Sequence, residues 1–214
     1  MARVAVFGGS FNPIHYGHLL LADELVEALT LERVLFVPAG QPPHKPASAV
    51  APAADRYAMV KLAIANHPRF TVSDLELRRP GPSYTVDTLE ALRASGDELF
   101  LFVGSETFLD LLSWRAPRRI AELARLVVVP RSGSAFDPDG AAAQKVLREI
   151  GADGFTAATD AASSPRAVLV VHVTSLPISA SDLRRRAQQR RSLAFRVPDA
   201  VVDYIRSHRL YAGA

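Results

Sequence analysis

The sequence predicts an α/β fold, a parallel sheet with helices on both faces, because short apolar runs alternate with stretches of helical periodicity along most of the chain. Residues 4–7, 34–37, 70–73, 99–103, 126–129 and 168–173 are rich in branched side chains and read as buried strands. Between them, residues 19–29, 56–66, 86–94 and 107–112 place apolar side chains at helical spacing. Such alternation sets ligands beyond the carboxyl ends of the strands, and the chemically loaded segments all fall there.

Two stretches break the pattern. Residues 38–55 hold five prolines and no period, which makes them a loop long enough to cover a ligand. Residues 132–166 are rich in Gly, Ala and Ser and read as a variable excursion with one short helix near 143–150. With 214 residues and 49% hydrophobic content the chain can bury one good core, and a single domain is expected, with a core over 1–177 and a small C-terminal helical appendage over 178–214. The net charge of +3 suits an anionic ligand but lacks the concentrated basic stripe of a nucleic-acid binder, so no nucleic-acid partner is expected. No cysteine is present, which excludes a disulfide framework. Met1-Ala2-Arg3 runs straight into a strand, and no apolar stretch is long enough to span a bilayer, so the expectation is a cytoplasmic protein without a membrane partner.

The densest chemistry lies in Gly8-Gly9-Ser10-Phe11-Asn12-Pro13-Ile14-His15-Tyr16-Gly17-His18-Leu19, where the first strand hands over to a helix. Glycines let backbone approach a ligand closely, and a helix N-terminus offers unpaired N–H groups to an anion. The residues alone leave three readings open. Gly8-Gly9 can be a plain turn; His15 and His18 can ligate a metal; or both imidazoles can donate to phosphate oxygens. No cysteine and no suitably spaced carboxylate completes a metal site, and none is expected. A second constellation, Ile178-Ser179-Ala180-Ser181-Asp182-Leu183-Arg184, follows the last predicted strand and opens a helix, with Ser and Asp at capping positions and Arg184 expected on the first turn. It reads either as an ordinary cap with a solvated basic face or as an anion site, in which each charged Arg hydrogen bond is worth about 1.5–3 kcal/mol. Arg185, Arg186, Arg190 and Arg191 read as surface charge.

Taken together, the two constellations resemble the nucleotidyltransferase superfamily, whose marks are an HxGH element after the first strand and an ISxTxxR-like element before a late helix. Further segments resemble the bacterial nicotinate-mononucleotide adenylyltransferase family: residues 37–45, 55–59, 81–89, 103–106, Trp114-Arg115, Val197-Pro198, Tyr204-Ile205 and Leu210-Tyr211. Only residues 132–166 lie outside the resemblance. It implies a Rossmann-like core and transfer of the adenylyl group of ATP to nicotinate mononucleotide, giving deamido-NAD and pyrophosphate, with Mg²⁺ accompanying ATP. The attacking phosphate monoester is already largely dianionic, its second pKa being about 6, so neither a Ser/Cys nucleophile nor a strong base is needed.

The roles that follow are those the resemblance implies. His15, His18, Lys45 and Arg184 would be catalytic, with His18 stabilising the attacked α-phosphate. Gly8, Gly9, Ser10, Phe11, Gly104, Glu106, Ile178, Ser179 and Ser181 would join His15, His18 and Arg184 in binding ATP. Nicotinate mononucleotide would meet Gly9, Ser10, His44, Lys45, Ser83, Tyr84, Thr85, Trp114, Arg115 and Arg131. Ser83-Tyr84-Thr85 precedes a helix and would hold the carboxylate, with Thr85 also able to cap that helix, and Trp114 would stack on the pyridine ring. Lys45 can equally be a solvated loop lysine, and Trp114 a core residue. Three positions depart from the family pattern: Glu106 replaces the usual Asp, Ser181 the usual Thr, and Asn12 the frequent Asp. The competing readings are an adenylyltransferase for nicotinamide mononucleotide or phosphopantetheine, and a nucleotide-binding regulator without turnover; homo-oligomerisation is left open.

Overall fold

A computed structural model describes residues 1–44, 46–130, 133–159 and 164–212. In chain order its elements are β1 (Arg3–Gly9), α1 (Tyr16–Ala28), β2 (Arg33–Pro38), α2 (Ala53–Ile64), β3 (Phe70–Val72), α3 (Leu75–Arg78), α4 (Thr85–Arg93), β4 (Glu98–Gly104) and α5 (Ser105–Leu109). They continue with α6 (Pro117–Leu123), β5 (Arg125–Val129), α7 (Ala141–Ile150), β6 (Phe155–Ala157), β7 (Val168–Val170), α8 (Ala180–Gln188) and α9 (Asp199–Ser207). The seven strands form one sheet in the order β3-β2-β1-β4-β5-β7-β6, so the direction of chain progress reverses between β1 and β4. The β1–β4, β4–β5, β5–β7 and β6–β7 pairs are parallel, which confirms the α/β, Rossmann-like fold.

The predicted strands form because both faces of a parallel sheet are covered, so a continuous apolar run is what such a strand requires. In β4 every residue from Leu99 to Val103 is at most 5% exposed, and Leu126 to Val129 of β5 behave alike. Ala22, Leu25 and Val26 mark one apolar face of α1 at the expected spacing, and Leu29, just past its end, continues it. Full burial of side chains such as Phe36 and Leu25 contributes about 1.5–3 kcal/mol each.

The elements depart from expectation at four places. The helix expected over 107–112 is instead α5 followed by a 3₁₀ turn at Leu111–Ser113. There the Ser113 hydroxyl donates to the Asp110 carbonyl (2.8 Å) and carboxylate (3.0 Å), offering the backbone a local alternative to the helical ladder. The proline-rich loop ends three residues early, at the start of α2, and carries a 3₁₀ turn at Ala47–Ala49. The last predicted strand stops at Val170. Inside the expected excursion lies β6, three residues long and too short for any period to announce it; Gly151, at φ 74°, caps the preceding α7 in the left-handed region.

The chain divides into two compact units. Unit 1 comprises Met1–Phe7, Glu24–Val34 and Tyr84–Thr174; unit 2 comprises Gly8–Asp23, Leu35–Ser83 and Ser175–Ala214. Among the described residues no helix is long and apolar enough to cross a membrane.

Candidate active site

In unit 2, β1 runs on through Gly8-Gly9, which are strand rather than turn, and then enters a tightly held loop. The Gly9 carbonyl accepts from the Ala39 N–H (2.9 Å), Phe11 is 2% exposed at the uncommon φ of 42°, and the Asn12–Pro13 peptide is cis. Phe11 packs on Phe36 (ring centroids 5.8 Å) and meets His18 edge-on (5.2 Å), while Ile14 is fully buried. His15 stands just before α1, and its carbonyl accepts the first helical N–H groups, those of His18 (2.9 Å) and Leu19 (3.3 Å).

The two imidazoles stack, centroids 3.7 Å apart and planes 28° from parallel. The His15 N–H donates to His18 Nδ1 (3.3 Å). With Nδ1 engaged as an acceptor, the proton of a neutral His18 sits on Nε2, which makes that nitrogen a donor. The glycine between the histidines has a steric reason: a Cβ on Gly17 would lie 3.0 Å from His15 Nδ1 and 3.1 Å from Cε1.

The late motif belongs to the same unit. Ser179 is the N-cap of α8 and accepts from the Asp182 N–H (3.2 Å), and the Ser179 and Ser181 hydroxyls are 3.2 Å apart. Arg184 is the fifth residue of α8, one position beyond the first turn where it was expected. From there its Nη1 donates to the Asn12 carbonyl (2.8 Å), joining the late motif to the histidine loop across 172 residues of sequence. Ser179→Ala should remove the cap and lower the unfolding free energy by about 1 kcal/mol, measured by urea denaturation.

Behind the loop is a support that the sequence reading missed. The Asn12 side-chain Oδ1 accepts from the Ala51 N–H (3.0 Å) and the Tyr211 hydroxyl (2.7 Å), and its Nδ2 donates to the Ala49 carbonyl (3.3 Å). This uses both ends of an amide, which a carboxylate could not do, and accounts for Asn where Asp is frequent. Burial pushes the Tyr211 hydroxyl above the ordinary tyrosine value, against the opposing pull of Arg184 and Arg56, so it stays protonated and able to donate. Arg56, 1% exposed, donates to carbonyls of both the histidine loop and the proline-rich loop. A lone arginine on an amphipathic helix reads as surface charge; residues 55–59 carry the family resemblance, but no role follows from it for Arg56.

Of the other expected residues in unit 2, His44 is exposed in a turn, and Ser83 is buried with its N–H donated to the Gln41 carbonyl (2.9 Å) and its hydroxyl accepting from the Gln41 N–H (3.2 Å). In unit 1, Tyr84 is the N-cap residue of α4 and Thr85 its first residue, so Thr85 is not the cap. The Arg115 guanidinium lies 4.9 Å over the Tyr84 ring and 3.6 Å from Asp87. A cation beside a helix N-terminus can hold a carboxylate. Trp114 is half-buried after the 3₁₀ turn, Gly104 is the N-cap of α5, and Glu106 is exposed in its first turn. Lys45 and Arg131 lie outside the described residues. Among the described residues no group of three or more His, Cys, Asp or Glu could hold a metal ion.

Comparison with known proteins adds an independent line. The sequence matches the Cytidylyltransferase-like family over residues 6–186. It is 44% identical over 213 residues to a protein of Thermomicrobium roseum named "Probable nicotinate-nucleotide adenylyltransferase", covering 99% of this chain and 92% of that one. A protein of the same name from Thermus thermophilus is 44% identical over 211 residues, 98% of this chain and 99% of the relative. The fold is similar to that of Plasmodium falciparum nicotinic acid mononucleotide adenylyltransferase, solved in complex with NaAD, with a TM-score of 0.74 at 17% identity, covering 99% and 98% of the two chains.

Proposed function

This chain belongs to the cytidylyltransferase-like family, among its nicotinate-nucleotide adenylyltransferases, and we propose that it transfers the adenylyl group of ATP to nicotinate mononucleotide in NAD biosynthesis. The observation that carries the reading is the bond from Arg184 to the Asn12 carbonyl, which gathers both phosphate-type motifs around one loop in unit 2. An oxygen of the nicotinate mononucleotide phosphate attacks the α-phosphorus of ATP, the bond from that phosphorus to the bridging oxygen breaks, and pyrophosphate leaves with the electron pair.

The nucleophile needs no deprotonation, so the catalytic problem is to align two anions and stabilise charge as it moves. His18 Nε2–H is the donor we assign to the α-phosphate. His15, stacked on it, and Arg184, whose guanidinium has five N–H groups and can serve Asn12 and a phosphate together, hold the remaining oxygens, with the N–H groups at Gly8, Gly9, Ser10 and Phe11 and the cap residues Ile178, Ser179 and Ser181. Lys45 is proposed to add a further cation. The residues around this loop are hydrogen-bond donors to phosphate, and Mg²⁺ would enter as a companion of ATP and neutralise part of its charge.

For the acceptor, we assign the nicotinate carboxylate to the N-terminus of α4 at Tyr84 and Thr85 with Arg115 beside it. A nicotinamide would present N–H donors to donors there. The nucleotide's remaining contacts are assigned to His44, Ser83 and Arg131, and those of ATP also to Gly104 and Glu106. Trp114 stacks on the pyridine ring in this reading, so Trp114→Ala should raise the KM for nicotinate mononucleotide about tenfold with kcat nearly unchanged, as measured in steady state. The protein would act in the cytoplasm.

The reading is tested by turnover of ATP with nicotinate mononucleotide, nicotinamide mononucleotide or phosphopantetheine, following pyrophosphate and the dinucleotide product. The acid should be the preferred acceptor. A preference for phosphopantetheine overturns the assignment, and absence of pyrophosphate release with every acceptor makes the protein a binder without turnover.

A further inference from the structure

We propose that Arg56 is a positioning residue for adenylyl transfer, locking the histidine loop to the proline-rich loop and polarising the peptide groups that face the phosphates. It rests on the function proposed above. Arg56 lies in α2 and is 1% exposed, yet each of its three guanidinium nitrogens donates to a carbonyl oxygen. Nε donates to Ala51 (2.8 Å), Nη1 to Ser10 (2.8 Å), and Nη2 to Ala39 (2.6 Å) and Gly40 (3.2 Å). These four partners are neutral. Taking a cation out of water costs several kcal/mol, and the four bonds to backbone carbonyls, which an apolar side chain could not make, offset part of it. Burial accordingly lowers the Arg56 pKa from its ordinary value, with Tyr211 and Glu76 pulling the other way, but a guanidinium remains charged at any physiological pH.

What a cation does here that an apolar group cannot follows from peptide resonance. A guanidinium bonded to the Ser10 carbonyl draws charge toward that oxygen, which makes the N–H of the same peptide, on Phe11, a stronger donor. The Ala39 carbonyl relates in the same way to the Gly40 N–H. One side chain therefore fixes the spacing of two loops and raises the anion affinity of their backbone without touching the ligand. Lysine keeps the charge but lacks the planar fork that spans partners on both loops.

The test uses the full chain with Arg56→Lys and Arg56→Met, each checked for a cooperative melt. Steady-state kinetics with ATP and nicotinate mononucleotide are paired with calorimetric titration of inorganic pyrophosphate. Expected are a fall in kcat of about tenfold or more for Lys with KM values moved less, and a pyrophosphate Kd raised about tenfold for Met, with Lys between. A residue that only holds the fold would lower the folded fraction and leave both quantities unchanged per folded molecule. Wild-type kcat and pyrophosphate affinity in either folded variant overturn the proposal, as does wild-type protein that binds no pyrophosphate. Failure of both variants to fold makes Arg56 a folding residue and overturns it too. Should the wild type turn over no nicotinate mononucleotide while pyrophosphate affinity still follows the Arg56 series, the substrate assignment fails and the positioning role stands.

Discussion

His18→Ala is expected to lower kcat by a factor of about 10² or more, the loss typical of removing one preorganised donor from a developing negative charge. The side chain is oriented in advance: Nδ1 accepts from the His15 backbone N–H, the ring stacks at 3.7 Å on His15, and Phe11 makes a T-shaped contact with it at 5.2 Å. Nε2 thus carries its proton in a fixed direction before any substrate arrives. Removing the ring leaves the His15 N–H without that acceptor, a cost of about 1 kcal/mol, or about 2–4 °C in Tm for a chain of this size. Pre-steady-state turnover and a thermal melt on the same preparation separate the two effects. Unchanged turnover in a folded variant would remove His18 from the chemistry.

Gly40→Ala is expected to have the largest effect on folding. A Cβ at this position would lie 2.3 Å from the Glu76 carbonyl oxygen and 2.9 Å from its carbon, both backbone atoms of α3. No side-chain rotation relieves such a contact. Glu76 is buried, and the Gly40 carbonyl is itself held by Arg56, so neither backbone can withdraw without breaking other bonds. The penalty should reach about 3 kcal/mol or more, the upper end for overpacking, seen as a lower urea midpoint. A midpoint matching the wild type would mean that the loop and α3 separate easily.

The fold was legible because its strands are covered on both faces, so β4 and β5 announce themselves as unbroken apolar runs, and α1 and α4 show their buried stripe. Elements with no period to offer stayed hidden: β6 is three residues long, and the break at Asp110 is made by the Ser113 hydroxyl rather than by a proline or glycine. The motif residues were legible for a different reason, since histidines and hydroxyls at strand ends are few and their spacing is local. What holds them was not. Arg56 reaches Ser10 across 46 residues and Arg184 reaches Asn12 across 172, distances at which no window of neighbouring residues carries a signal. The Thr85 cap failed on one residue of register, because Tyr84 takes that position.

The bond from Tyr211 to the Asn12 amide spans 199 residues, among the longest separations this chain allows. High contact order of this kind makes completion of a structure slow, since loop closure must precede the reward. During synthesis from the N-terminus, the histidine loop is made well before its brace, which arrives only when residue 211 does. A nascent chain can therefore carry every histidine of the motif and still lack the final shape of the loop that presents them.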